Sequence, residues 1–129
     1  MPAAIHHTKP LSDCFAAQRL LFEAAQELSK RIGRRAEDEA DLLRLGGTCV
    51  RIASERALAA RTDREAIGGW RECDPGEKQI RFATYWAMRR GAIGARDYDA
   101  LFAVATRAAR ARKDEIDRLR VRVQAETLV

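Results

Sequence analysis

Apolar residues recur along this chain at three- and four-residue spacings, the period of a helix face, and nowhere alternate as a half-buried strand would. Five helical segments separate on that pattern. The first runs from a cap at Ser12 or Asp13 to about Ile32, with Cys14, Ala17, Leu21, Ala24, Leu28 and Ile32 on one stripe and Gly33 as its stop. Phe15, Leu20 and Phe22 fall off that stripe, so this helix is expected between neighbours. The preceding residues carry Pro2 and Pro10 and no periodicity. Residues 1–11 therefore read as a flexible N-terminal arm, and 12–129 as a single α-helical domain.

The second helix opens in Arg34–Asp41, whose acids fall in the first turns where the helix dipole favours negative charge, and extends to about Arg61. Ala36, Ala40, Leu43, Gly47, Val50, Ser54 and Ala57 give it a stripe of mostly small residues that another helix can approach closely. Leu42, Leu45, Cys49 and Ile52 make a second apolar face. Gly46-Gly47 marks either a close helix crossing or a break, and the continuing periodicity favours the crossing.

Thr62 and Glu65 form a capping box that starts a short third helix through Ile67, after which Gly68-Gly69 is expected to loosen the chain. Asp74-Pro75-Gly76-Glu77 reads as the start of a fourth, with Asp at the N-cap, Pro at the first helical position and Glu at the third. Ile80, Ala83, Ala87 and Met88 form its face, which Phe82, Tyr85 and Trp86 widen; this concentration of rings is expected to be the heaviest part of the core. After Gly91–Gly94 a last helix runs from about Arg96 to Glu126, with Phe102, Ala105, Ala109, Ile116, Leu119 and Val123 on a stripe that Arg112 interrupts. The predicted fold is all-α, a four- to five-helix bundle with a long C-terminal helix.

Composition narrows the class. At 129 residues and 47% apolar content the chain fits one domain with a moderate core. Its 24 Lys+Arg against 19 Asp+Glu leave a net charge of +5, spread along the chain with no basic tail, so attraction to polyanions is only modestly favoured. No run approaches the roughly 18 uncharged apolar residues that cross a bilayer, and the first ten residues lack the apolar stretch of a secretion signal. A cytoplasmic protein with no membrane partner is expected. Cys14, Cys49 and Cys73 are odd in number and far apart, which fits free thiols better than a disulfide framework or a zinc site.

Catalytic chemistry finds no support in the residues. The two histidines, His6 and His7, lie in the predicted arm, away from any Ser or Cys they could activate. Glu23 and Glu27 sit one turn apart, but carboxylates at that spacing ordinarily form a solvated face. No glycine-rich phosphate cradle is present. No enzyme activity, metal or cofactor is expected.

Two classes of function remain. The first is a non-catalytic protein-interaction or regulatory module, expected to bind a protein partner, itself foremost, through Gly47 and Val50 of the small-residue stripe and Ile116, Leu119 and Val123 of the last helix. The second is an arginine-rich nucleic-acid-binding regulator of DNA or RNA. Its phosphate contacts would come from Arg31, Arg34 and Arg35 at one helix junction and from Arg89, Arg90 and Arg96 at another. Residues 80–110 have the outline of a helix-turn-helix, but Asp97 and Asp99 at the reading end and a long turn favour a plain hairpin. Along the last helix the basic run is expected to pair with its own acids, Asp114 with Arg118, Lys113 with Asp117 and Arg122 with Glu126.

Overall fold

The stripe of small residues on the second helix makes that helix the centre of the packing. The computed structural model describes residues 2–128, with side chains from Asp13 onward, as α1 (Pro2–Ile32), α2 (Glu37–Ala59), α3 (Asp63–Arg71), α4 (Cys73–Arg89) and α5 (Ala95–Leu128). The expected arm at residues 1–11 lies outside the residues whose side chains are described, as does Ser12. α1, α2, α4 and α5 pack as a ring of neighbours, and α3 closes one end between α2 and α5. The fold is an all-α bundle with a long C-terminal helix. No strand occurs, and no helix is long and apolar enough to cross a membrane, among the described residues.

Small residues set the distances between axes. α2 runs unbroken through Gly46-Gly47, because both glycines are contact points. A Cβ at Gly46 would stand 2.9 Å from Cγ1 of Ile80 and 3.0 Å from the Gly76 carbonyl oxygen, while one at Gly76 would stand 2.8 Å from the Gly46 carbonyl oxygen. Two glycines thus face each other where α2 crosses α4. Gly69 repeats the device between α3 and α2, where a Cβ would meet the Ala57 Cα at 2.7 Å. α3 accordingly continues through Gly68-Gly69 to Arg71 instead of loosening after Ile67. Helix propensity disfavours that glycine pair, but close packing against Ala57 overrides it.

The turns follow local chemistry. The Glu65 amide donates to Thr62 Oγ1 at 3.1 Å, and Glu65 Oε2 accepts from the Arg61 amide at 3.2 Å, so the capping box forms with its return bond one residue early. α4 is stopped past its cap at Arg90 by Gly91, whose φ of 78° is the left-handed conformation that suits glycine. There the Ala92 amide donates to the Ala87 carbonyl and the Gly91 amide to that of Met88, closing the helix end. At the other end of α4 the expected cap is absent: the helix begins at Cys73 after Glu72, and Asp74 and Glu77 are turned to other partners.

The interior is lined mostly by alanine and medium-sized aliphatic residues. One cluster gathers Leu21, Leu28, Ile32, Leu43, Val50, Ile80 and Leu101 with alanines from α1, α2, α4 and α5, and a second sets Trp70 among Cys14, Ala57, Ile67, Cys73, Ile116 and Leu119. Of the predicted second face of α2, Leu42 is partly buried against the core, but Leu45, Cys49 and Ile52 are exposed, since α1, α3 and α4 are all reached from the small-residue side. Leu20 of α1 is exposed as well, while Phe22 is partly covered and stacks beneath the Arg51 guanidinium, 5.7 Å from the ring centre.

These contacts order the glycines by what surrounds them. Gly69→Ala and Gly76→Ala should each destabilise the fold by about 1–3 kcal/mol, because backbone must move to admit the methyl group. Gly68→Ala, with nothing within 4 Å of the new carbon, should stabilise it by about 0.5–1 kcal/mol through helix propensity alone. Urea denaturation followed by circular dichroism separates the two outcomes.

Candidate interaction surface

The rotation of α4 and α5 is fixed by a buried polar cluster. Glu77 of α4 is fully buried and accepts from Arg112 of α5 through both oxygens, at 2.9 and 3.1 Å, and from Nε2 of Gln18 on α1 at 2.7 Å. Arg112 also reaches Asp74 at 3.1 Å, and the Gln18 amide donates to the Ala108 carbonyl at 3.1 Å. Burial opposes the charge on Arg112, but the hydrogen bonds and charge of Glu77, with Asp74 beyond, hold the guanidinium above its ordinary pKa. The arginine that broke the apolar stripe of the last helix, and the glutamate read as the third residue of α4, are therefore one ion pair. Neither sequence position alone announces it.

With Glu77 inward, the opposite side of α4 faces out. Phe82 is 58% exposed, Tyr85 40% and Trp86 43%, and across the hairpin Phe102 of α5 is 45% exposed. These rings were expected in the core; instead they form one surface cluster. Phe82 and Tyr85 each meet Trp86 edge-on, at 6.1 and 5.6 Å between ring centres. Tyr85 meets Tyr98 of α5 at 6.5 Å, and Tyr98 stacks on Phe102 at 5.8 Å. Of the chain's two Trp, two Tyr and four Phe, five residues thus lie in a single file across two helices. Beside Tyr98 and Phe102 a shallow hollow is completed by Arg81, Thr84 and Leu101. Spacings of three and four residues should have flagged Phe82, Tyr85, Trp86 and Arg89 as a face of their own, separate from Ile80, Ala83 and Ala87.

The residues expected to bind a partner lie elsewhere. Gly47 and Val50 are buried, with Gly47 against Phe22, Ala25 and Gln26 of α1. Ile116 and Leu119 are buried in the second cluster, and Val123 is half-buried at its edge. Gly47, Val50 and Leu119 spend their surface inside the chain, whereas Val123, and the edge of Ile116, still line clefts on the outside.

The two arginine clusters do come together, at the end of the bundle formed by the α1–α2 and α4–α5 turns. Arg31 pairs with Asp97 at 2.9 Å and Arg90 pairs with Glu39, so those two cations tie the turns to each other. Arg34, Arg35, Arg89 and Arg96 are exposed without an ion pair among the described residues. Glu37, Asp38, Asp41 and Asp99 are exposed beside them in sequence and dilute the positive field. Along α5 the expected pairs are replaced: Arg118 binds Glu115, Arg120 binds Asp117, and Arg122 reaches Asp63 of α3. Tertiary neighbours and the shorter i,i+3 reach take the acids that i,i+4 spacing would have assigned.

Cys14 and Cys73 are buried and Cys49 is exposed. Burial pushes the Cys73 thiol up to about 12, with Glu77 adding to the effect, and raises Cys14 further. Glu23 is engaged by Arg19 at 3.2 Å on the exposed face of α1. No group of three or more His, Cys, Asp or Glu that could hold a metal ion occurs among the described residues. The chain matches no family model, no curated protein and no solved structure.

Two outcomes follow from this geometry. Arg112→Met should cost about 3–5 kcal/mol by leaving Glu77 buried and bare, whereas the loss is much smaller when Glu77→Leu accompanies it; chemical denaturation of both variants checks this. A thiol reagent at pH 8 should modify Cys49 alone in the native protein and all three cysteines in denaturant. Since the buried thiols ionise near 9.0 only once unfolded, stability should fall as pH rises from about 9 toward 12.

Proposed function

We propose that this chain is a non-catalytic protein-interaction module that associates with a second copy of itself through the aromatic face of α4 and α5. The observation that carries the reading is the cluster of exposed rings Phe82, Tyr85, Trp86 and Phe102, joined ring against ring through the half-buried Tyr98. Large rings left in water forgo the strongest apolar contribution available to a small domain. Trp and Tyr, together with Arg, are also the residues that dominate the energetics of protein interfaces.

Area supports a second copy as the occupant. Rings exposed to this degree offer on the order of 100 Å² each, hence roughly 400 Å² per face and about 800 Å² in a two-fold pair before any rim is counted. A specific interface needs about 1,000 Å², which that rim would supply. Arg81 lines the hollow, Arg89 follows Tyr85 and Trp86 at helical spacing, and Asp99 adjoins Tyr98. A two-fold axis between the hairpins would lay α4 of one copy over α5 of the other and bring these opposite charges toward one another.

Light scattering after size exclusion at micromolar concentration should give the mass of a dimer, and Phe82→Glu with Phe102→Glu should give a monomer of unchanged helicity. A wild-type monomer overturns self-association. A complex with random duplex DNA that weakens steeply between about 50 and about 200 mM salt, and is lost on changing Arg34, Arg35, Arg89 and Arg96 to alanine, would favour the nucleic-acid reading instead.

A further inference from the structure

We propose that the groove between α3 and α5, which none of the five aromatic-face residues lines, is a docking site for an acidic amphipathic helix of a partner protein. Two adjoining clefts of about 360 and about 280 Å³ make up this groove, and they share Arg71 of α3 and Arg120 of α5. The first adds Arg64 and the second adds Lys113. Each wall therefore carries a pair of cations seven residues apart, about 10.5 Å along its helix axis. The helices run in opposite directions here, for Asp63 at the start of α3 meets Arg122 near the end of α5 at 3.1 Å.

Three of these four cations are unspent. Arg64, Arg71 and Lys113 are exposed and have no carboxylate partner among the described residues; the single acid lining either cleft, Asp117, is held by Arg120 at 3.7 Å. Between the walls the apolar part of the floor is the half-buried Val123, with the edges of the otherwise buried Ile67 and Ile116 beside it. A ligand that matches has an apolar stripe flanked by carboxylates repeating every two turns, which is the description of an amphipathic acidic helix. From Lys113 to Gln124 the groove is about 16 Å long, or three turns of such a helix. Nucleic acid fits less well. A duplex is too wide to reach an apolar floor between two packed helices, and no aromatic side chain lines either cleft to stack a single-stranded base.

The test uses a fluorescein-labelled peptide of about 14 residues, four turns, built from Leu at helical a, d and e positions and Glu elsewhere, read by anisotropy at about 0.1 M salt. A permuted peptide of the same composition serves as control. The amphipathic peptide should bind about tenfold more tightly than the permuted one, and Arg64→Ala with Arg71→Ala, and separately Lys113→Ala, should each weaken it by about tenfold. Arg34→Ala with Arg35→Ala, at the other end of the bundle, and Phe82→Glu with Phe102→Glu should leave it unchanged. Circular dichroism melts confirm that each variant folds, and the light-scattering mass reports self-association independently. Equal affinity for both peptides, indifference to the groove variants, no binding at all, or displacement of the peptide by an oligothymidylate at lower concentration than by unlabelled peptide would each overturn the proposal.

Discussion

Everything that faces outward on α4 and α5 depends on the buried pair between Glu77 and Arg112. The two residues belong to helices that could each turn about its own axis if only alanine and aliphatic contacts held them, because one small apolar residue substitutes readily for another. A carboxylate and a guanidinium cannot be exchanged in that way. Turning either helix would expose one charge to an apolar interior without its partner. Gln18 adds a third helix to the same cluster, donating to Glu77 and to the Ala108 carbonyl. The pair adds little net stability, since desolvation offsets most of the attraction, but it penalises every other rotation of these helices.

From that orientation the surfaces follow by helical geometry. With Glu77, Ile80 and Thr84 inward, Phe82, Tyr85, Trp86 and Arg89 are carried to the far side of α4. With Ala108, Arg112, Glu115 and Leu119 inward, Lys113 and Arg120 open onto the groove beside α3. The small residues enforce the result. Where α2 meets α4 at Gly46 and Gly76, and α3 at Gly69 and Ala57, the backbones stand too close for a ring to lie between them. The bulky side chains are displaced by the very contacts that make the bundle tight.

Charge is distributed by the same logic. At the turn end, Arg31 and Arg90 are spent on Asp97 and Glu39 in tying two connections together, and acids adjoin the arginines that remain. Toward the α3 end, Arg122 is taken by Asp63 and Arg120 by Asp117, which leaves Arg64, Arg71 and Lys113 facing a groove. A net charge of +5 says nothing about this division. Which arginines are free is a property of neighbours distant in sequence.

The amino-acid sequence by itself determined the helices, because helical periodicity, the Thr62–Glu65 box and a glycine after Arg90 are local signals that need no partner. It also determined that Ala36, Ala40, Leu43, Gly47, Val50, Ser54 and Ala57 share a buried stripe. Tertiary structure alone decided what each second face does. Leu45 and Ile52, and the rings of Phe82, Tyr85, Trp86 and Phe102, look as apolar as any core residue, yet they lie outside because the close glycine crossings had already filled the interior. Asp74 and Glu77 fit a cap in sequence and serve an ion pair in space. A carboxylate's partner is chosen by distance, and distance between residues 35 or 38 positions apart exists only once the helices have packed.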